Sequence, residues 1–137
     1  MRFKLDPYGI KPTRAHETDA GLDLYSPEEA VILPHSRVFI DTRVHIQIPH
    51  NFFGMIRSKS GLMKDHGILT DGVIDEGYTG RIGVVLFNAS NDPFHVMPYT
   101  KIAQLIILPV IYPSVKIVDE LEITERGDDG FGSTGPY

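Results

Sequence analysis

"SRVFIDTRVHIQI", residues 36–48, decides the fold class. Val38, Ile40, Val44, Ile46 and Ile48 alternate with Arg37, Asp41, Arg43, His45 and Gln47, the period of two expected of a strand or a hairpin with one wet face. Outward from it, "RIGVVLFN" (81–88) and "KIAQLIILPVIY" (101–112) are denser in apolar and β-branched residues. That density predicts strands buried on both faces or lying in a sandwich core. Pro34, Pro49, Pro93, Pro98, Pro109 and Pro113 cut these runs into short strands. Helix is scarce. "SPEEA" (26–30) has the chemistry of a helix start but is read as one turn, because "VILP" follows it. "SGLMKDHG" (60–67) predicts a short helix stopped by Gly67. Many short strands with frequent turns point to an all-β sandwich, jelly roll or barrel. No internal repeat is visible, and no linker precedes the glycine-rich tail.

The 137 residues suit one domain, and a hydrophobic fraction of 42% argues against wholesale disorder. No apolar run nears the roughly 20 residues that span a bilayer, and "MRFKLDPYGI" lacks a signal-peptide core. The expectation is a soluble protein kept inside the cell. Zero cysteines exclude disulfides and thiolate zinc sites, and six scattered histidines show no zinc-ligand spacing. A net charge of −5 without a cluster of Lys or Arg makes nucleic acid a poor partner. An anionic small molecule remains open, since a few aimed cations plus a divalent metal can hold a phosphate.

Four stretches interrupt the β rhythm. "DAGLDLYS" (19–26) sets Asp19 and Asp23 around a glycine; "RSKSGL" (57–62) puts Arg57 and Lys59 on one face of an extended segment and Ser58 and Ser60 on the other. "TDGVIDEGYTGRI" (70–82) reads as a hairpin with three carboxylates, Asp71, Asp75 and Glu76. The tail, "RGDDGFGSTGPY" (126–137), holds a single phenylalanine among four glycines. Each has a bland reading: solvated loop carboxylates, a charged edge that blocks aggregation, a turn aspartate, a loose terminus. The Arg126-Gly127-Asp128 tripeptide matches an adhesion signal, for which an intracellular chain has little use.

Taken together, in this order, the stretches resemble the five-motif signature of the trimeric dUTP pyrophosphatases (dUTPases). "AGLDL" resembles motif one, "KSGL" motif two, "GVIDEGYTG" motif three, "KIAQLI" motif four and "RGDDGFGSTG" motif five, from about Pro12 to Gly135. The third and fifth are long and specific. The resemblance implies an all-β distorted jelly roll with one short helix, a β domain over residues 1–125 and a flexible C-terminal arm over 126–137. It also implies a homotrimer whose active sites draw on all three subunits.

The resemblance further implies roles. Asp75 would activate a water for attack on the α-phosphorus of dUTP, giving dUMP and pyrophosphate; an ionised Asp accepts a hydrogen bond from water without tuning. Tyr78 would pack under deoxyribose, and main-chain groups of the segment that includes Gly72 and Ile74 would read uracil. Lys59, Ser60, Gly61, Gln104 and Arg126 would bind the phosphates. Mg²⁺ carried by the triphosphate would contact Asp23 through water. Phe131 would stack on uracil, with Gly132, Ser133 and Thr134 closing over the γ-phosphate, so the tail would be loose in order to open. The physiological role implied is to limit uracil incorporation into DNA and to supply dUMP for thymidylate synthesis, in the cytoplasm.

Three positions depart from the family pattern. Lys59 replaces the usual arginine, exchanging a fork for a point charge. Tyr99-Thr100 replaces Gly-Asp ahead of motif four, which predicts a turn built differently. Asp129 replaces a glycine in the tail. Two rival readings were weighed. A dCTP deaminase needs a glutamate where Val85 stands, and an aliphatic side chain cannot shuttle protons. A non-catalytic nucleotide sensor would not need Asp75, Gln104 and Arg126.

Overall fold

A computed structural model describes residues 1–128 and Gly130. They form ten strands and one helix: β1 (Arg2–Leu5), β2 (Gly21–Tyr25), β3 (Ala30–Ile32), β4 (Arg37–Gln47), β5 (Phe52–Arg57), α1 (Ser60–His66), β6 (Ile68–Leu69), β7 (Asp71–Ile74), β8 (Arg81–Asn88), β9 (Phe94–Val96) and β10 (Lys101–Pro109). One sheet runs β1-β4-β8-β6, a second β2-β10-β5-β7, and β3 pairs with β9 as a ribbon. Every pairing is antiparallel. The chain is thus all-β, in the distorted jelly-roll arrangement that the motifs implied.

The alternation in residues 36–48 resolves into one strand. Ile40, Thr42, Val44 and Ile46 of β4 point inward in unbroken alternation. The register against β8 nevertheless jumps between Asp41 and His45, with Arg43 in the left-handed region at φ 59. Local polar groups absorb that bulge: buried Thr42 donates from Oγ1 to the Ile82 carbonyl at 2.7 Å, and Arg43 N–H donates to Asp41 Oδ1 at 2.8 Å. The core lies between the two four-stranded sheets, with Ile40, Val84 and Leu86 on one side and Leu24, Ile56 and Leu105 on the other. A bulge between Lys101 and Ala103 lets both Ile102 and Ala103 turn inward.

Two expectations need correction. β8 is buried on one face alone: Ile82, Val84 and Leu86 are in the core, while Val85 and Phe87 are exposed and sit opposite Phe39 and Arg37 of β4. Among the described residues Phe39, Val85 and Phe87 stay exposed on the second face of that sheet. Residues 70–82 do not zip into a hairpin either. β7 pairs with β5 and β8 with β4 and β6, so the two strands belong to different sheets. Buried Ile74 and Ile82 enter the core from opposite sides, which forces residues 75–80 to bridge the sandwich rather than fold back in one plane.

α1 stops as expected, at Gly67 with φ 66, whose N–H donates to the Met63 carbonyl. "SPEEA" makes a bend in which buried Ser26 Oγ donates to the Glu28 carbonyl at 2.6 Å.

Candidate active site

Sheet register draws the first cluster. In the second sheet Asp23, Gln104, Arg57 and Asp71 are successive cross-strand neighbours, so all four side chains emerge on one face. Arg57 Nη1 donates to Asp71 Oδ1 at 3.2 Å. Gln104 Nε2 reaches past the end of β5 to the Ser58 carbonyl at 3.1 Å, and Ser58 Oγ in turn donates to the Thr70 carbonyl at 3.0 Å. Lys59 crosses back to ion-pair with Asp23 Oδ1, while Lys101 Nζ holds Oδ2 at 2.8 Å. Ser60 and Gly61 open α1 beside this cluster, and the space where Gly61 would carry a Cβ is empty to 4 Å.

Asp23 has an 8% exposed side chain, and burial opposes its ionisation. The hydrogen bonds from Lys101 and Lys59 outweigh that and hold its carboxyl below the usual range. Lys101 is held above the ordinary lysine range by the same bond. With each carboxylate oxygen occupied by an ammonium group, Asp23 does not offer a place for a divalent cation unless a lysine moves. Among the described residues no three His, Cys, Asp or Glu side chains converge on a metal-sized site. The described residues therefore do not build a site for a resident metal.

The second cluster lies at the other end of β7. A cleft of about 310 Å³ is lined by Gly72, Val73, Ile74, Asp75, Tyr78 and Gly83, together with Phe39 and Arg81 and with Ile56 and Ile82. Asp75 is exposed at its rim and begins a turn closed by Tyr78 N–H donating to the Asp75 carbonyl at 3.0 Å. Tyr78 donates from its hydroxyl to the Arg81 carbonyl at 2.8 Å, and its ring occupies the volume that a side chain at Gly80 would need. Since strands rise roughly 3.3 Å per residue, Asp75 stands on the order of 13 Å along the chain from the Asp71–Arg57 pair. Lys59 and Ser60 continue away from it in the antiparallel neighbour.

The structure therefore brings Gly72, Ile74, Asp75 and Tyr78 together, and separately gathers Asp23, Lys59, Ser60 and Gln104. Arg126 belongs to the coil after β10. Phe131, Gly132, Ser133 and Thr134, like Asp129, lie outside the described residues.

The turn before β10 is held by main-chain hydrogen bonds. Tyr99 adopts φ 68, the left-handed conformation that the usual glycine would supply. Its N–H donates to the Ser26 carbonyl at 2.8 Å, Ser26 N–H to the Thr100 carbonyl at 2.9 Å, and Thr100 N–H to the Met97 carbonyl at 3.1 Å. Those bonds offset the strain.

The dUTPase family model matches residues 8–135. This chain belongs to the dUTPase family. It is 46% identical over 135 residues to the deoxyuridine 5'-triphosphate nucleotidohydrolase of Clostridium novyi (strain NT), covering 96% of this chain and 95% of that one. A mutant dUTPase of Staphylococcus bacteriophage 80alpha, solved with dUpNHpp, superposes with a TM-score of 0.91 at 29% identity over 98% of this chain and 97% of that chain. A mutant dUTPase from phage phi11 of S. aureus, described as showing the coordination of a structural Mg(II) ion, superposes at 0.81 with 27% identity, over 89% and 98%.

Membership of the dUTPase family sharpens what sequence reading missed. Lys101 opens motif four and was given no role, because its place beside Asp23 follows from the register of β10 against β2. Glu76, taken as one more turn carboxylate, carries three hydrogen bonds. Its partners come from distant stretches, and only the fold reveals them.

Proposed function

We propose that the chain is a dUTP diphosphatase that hydrolyses Mg²⁺-bound dUTP to dUMP and pyrophosphate. One observation carries the reading: Asp75 stands exposed at the rim of a cleft whose floor includes Gly72, which carries no side chain, with the Phe39 ring lying over Gly83. A base can approach such a floor closely, and backbone groups can then select it by hydrogen bonding. Asp75 accepts a proton from water as the water oxygen bonds to the α-phosphorus. The bond from that phosphorus to the bridging oxygen breaks, and the bridging oxygen leaves on pyrophosphate. Alignment of water and phosphorus supplies much of the rate. Tyr78 lies against the sugar, while Lys59, Ser60, Gly61, Gln104 and Arg126 take the phosphates. Phe131, Gly132, Ser133 and Thr134 close over the nucleotide.

The site is completed in a homotrimer. Support comes from the separation of the two clusters within one chain and from two uncovered apolar surfaces. Phe39, Val85 and Phe87 are exposed on one sheet face. Beyond β10, Ile111, Val115, Ile117, Leu121 and Ile123 fall at alternate positions, each more than four-fifths exposed. That is the pattern of a strand whose neighbour belongs to another copy. Inside the cell the reaction limits uracil incorporation into DNA and supplies dUMP for thymidylate synthesis.

Pyrophosphate release from dUTP, dTTP and dCTP with Mg²⁺, on wild type and Asp75→Asn, tests the reading. Turnover of dUTP alone, lost by roughly 10²-fold or more in Asp75→Asn while nucleotide binding persists, is expected. No release from dUTP, or an unimpaired Asp75→Asn, overturns it.

A further inference from the structure

Glu76 follows Asp75 and turns away from the cleft. Its carboxylate accepts from three separate segments. His50 Nδ1 donates to Oε1 at 2.7 Å; Asn51 N–H and the Tyr112 hydroxyl each donate to Oε2 at 2.9 Å. His50 and Asn51 lie in the β4–β5 turn, where Asn51 adopts φ 64, and Phe52 N–H donates to the Pro49 carbonyl at 3.2 Å. Tyr112 lies just past β10, on a segment pinned to the same turn by Val110 N–H donating to the Asn51 carbonyl at 2.9 Å. The three donors hold the Glu76 carboxyl below its usual range, His50 foremost, and Glu76 in turn raises the Tyr112 hydroxyl. The side chain is 28% exposed.

This connection is more than a solvated turn requires. The turn that bears Asp75 has no ladder partner in β8, because its two strands diverge into different sheets. Cross-strand pairing therefore does not anchor it: its own Tyr78–Asp75 bond closes it, His45 Nδ1 meets the Thr79 carbonyl at its far end at 2.8 Å, and the Glu76 carboxylate ties its near end to two further elements. We propose that Glu76 is a positioning residue for Asp75, and that its bond to Tyr112 couples the catalytic turn to the root of the C-terminal segment. Glu76 acts through the position of Asp75. It holds the neighbouring carboxylate at the distance and angle that attack requires, where a shift near 1 Å costs on the order of 100-fold.

The inference rests on the assignment of Asp75, so Asp75→Asn is the control. Glu76→Gln keeps shape but weakens all three acceptor bonds; Tyr112→Phe deletes one donor and keeps the ring. Steady-state kinetics on the full chain should show kcat lowered about tenfold or more in each, with KM for dUTP within about twofold of wild type. The double variant should be no slower than Glu76→Gln, because both act through one carboxylate. Unchanged kcat in either, a rise confined to KM, or losses that multiply in the double variant would overturn it. Should Glu76→Gln fail to fold, the kcat of Tyr112→Phe decides alone. If Asp75→Asn keeps turning over, the catalytic assignment falls; if it is dead while Glu76 and Tyr112 variants run normally, only the positioning role does.

Discussion

Lys101 Nζ sits 2.8 Å from Asp23 Oδ2, on the opposite side of a carboxylate whose Oδ1 is paired with Lys59. Lys59 can leave for a phosphate without stranding a buried anion, because Lys101 stays behind. Removing Lys101 makes Lys59, among the described residues, the sole counterion of Asp23. Lys101→Met should then weaken binding of dUpNHpp about tenfold, the scale of one charged hydrogen bond. Titration calorimetry measures it, and unchanged affinity would count against the division of labour between the lysines.

Gly80 leaves room for the Tyr78 ring. An added Cβ would lie 2.5 Å from Tyr78 Cζ and Oη, so the ring must swing out and release the Arg81 carbonyl. Tyr78 is about half exposed, and the fold should tolerate the change. Gly80→Ala is therefore expected to preserve the melting temperature yet erode sugar selection, raising kcat/KM for UTP relative to dUTP roughly tenfold. An unaltered ratio would place selection elsewhere.

Tyr99 is strained by its left-handed backbone, at a cost of about 1–2 kcal/mol for a residue with a Cβ. Three-quarters of the side chain's surface is exposed, so little packing is lost on truncation. Against this, glycine adds unfolded-chain entropy of about 0.4–1 kcal/mol. Tyr99→Gly should be neutral to stabilising by roughly 1 kcal/mol, and Tyr99→Val destabilising, because a β-branched residue fits that region worst. Urea denaturation distinguishes the two. A clear loss in Tyr99→Gly would show that the ring contributes packing.

Asp6 joins β1 to the β4–β8 pair. His45 Nε2 at 3.2 Å, Arg81 Nε at 2.7 Å and Lys4 Nζ at 3.3 Å surround its carboxylate, and the His45 and Arg81 hydrogen bonds press its pKa well below the ordinary value. A depressed carboxyl stabilises the fold above the unfolded pKa, about 3.9, and the benefit fades as pH falls toward the folded value. Wild type should lose stability below about pH 4. Asp6→Asn should be weaker at neutral pH and flatter in acid. Equal acid slopes for the two proteins would rule Asp6 out as a source.

The alternation of residues 36–48 and the density of residues 101–112 made the β architecture legible, since burial on one face or two leaves a direct mark on residue choice. Five short motifs carried the family. Sheet partnership did not show: nothing local in "GVIDEGYTGRI" records that Ile74 and Ile82 enter the core from opposite sheets. How the turn at Tyr99 is built could not be read locally for a related reason, because hydrogen bonds from residues far along the chain can sustain a conformation that the residue itself disfavours. Asp23, Lys59 and Gln104 were legible singly, whereas Lys101 and the Glu76 node depended on cross-strand register and loop contacts that span 25 to 78 positions.

The alternating aliphatic band over residues 111–123 has a thermodynamic corollary. In the proposed homotrimer another copy covers it, and the free energy of the native state would then carry a mass-action contribution. Dilution would behave as a mild denaturant, and freshly synthesised chains would have to find one another before they found something else.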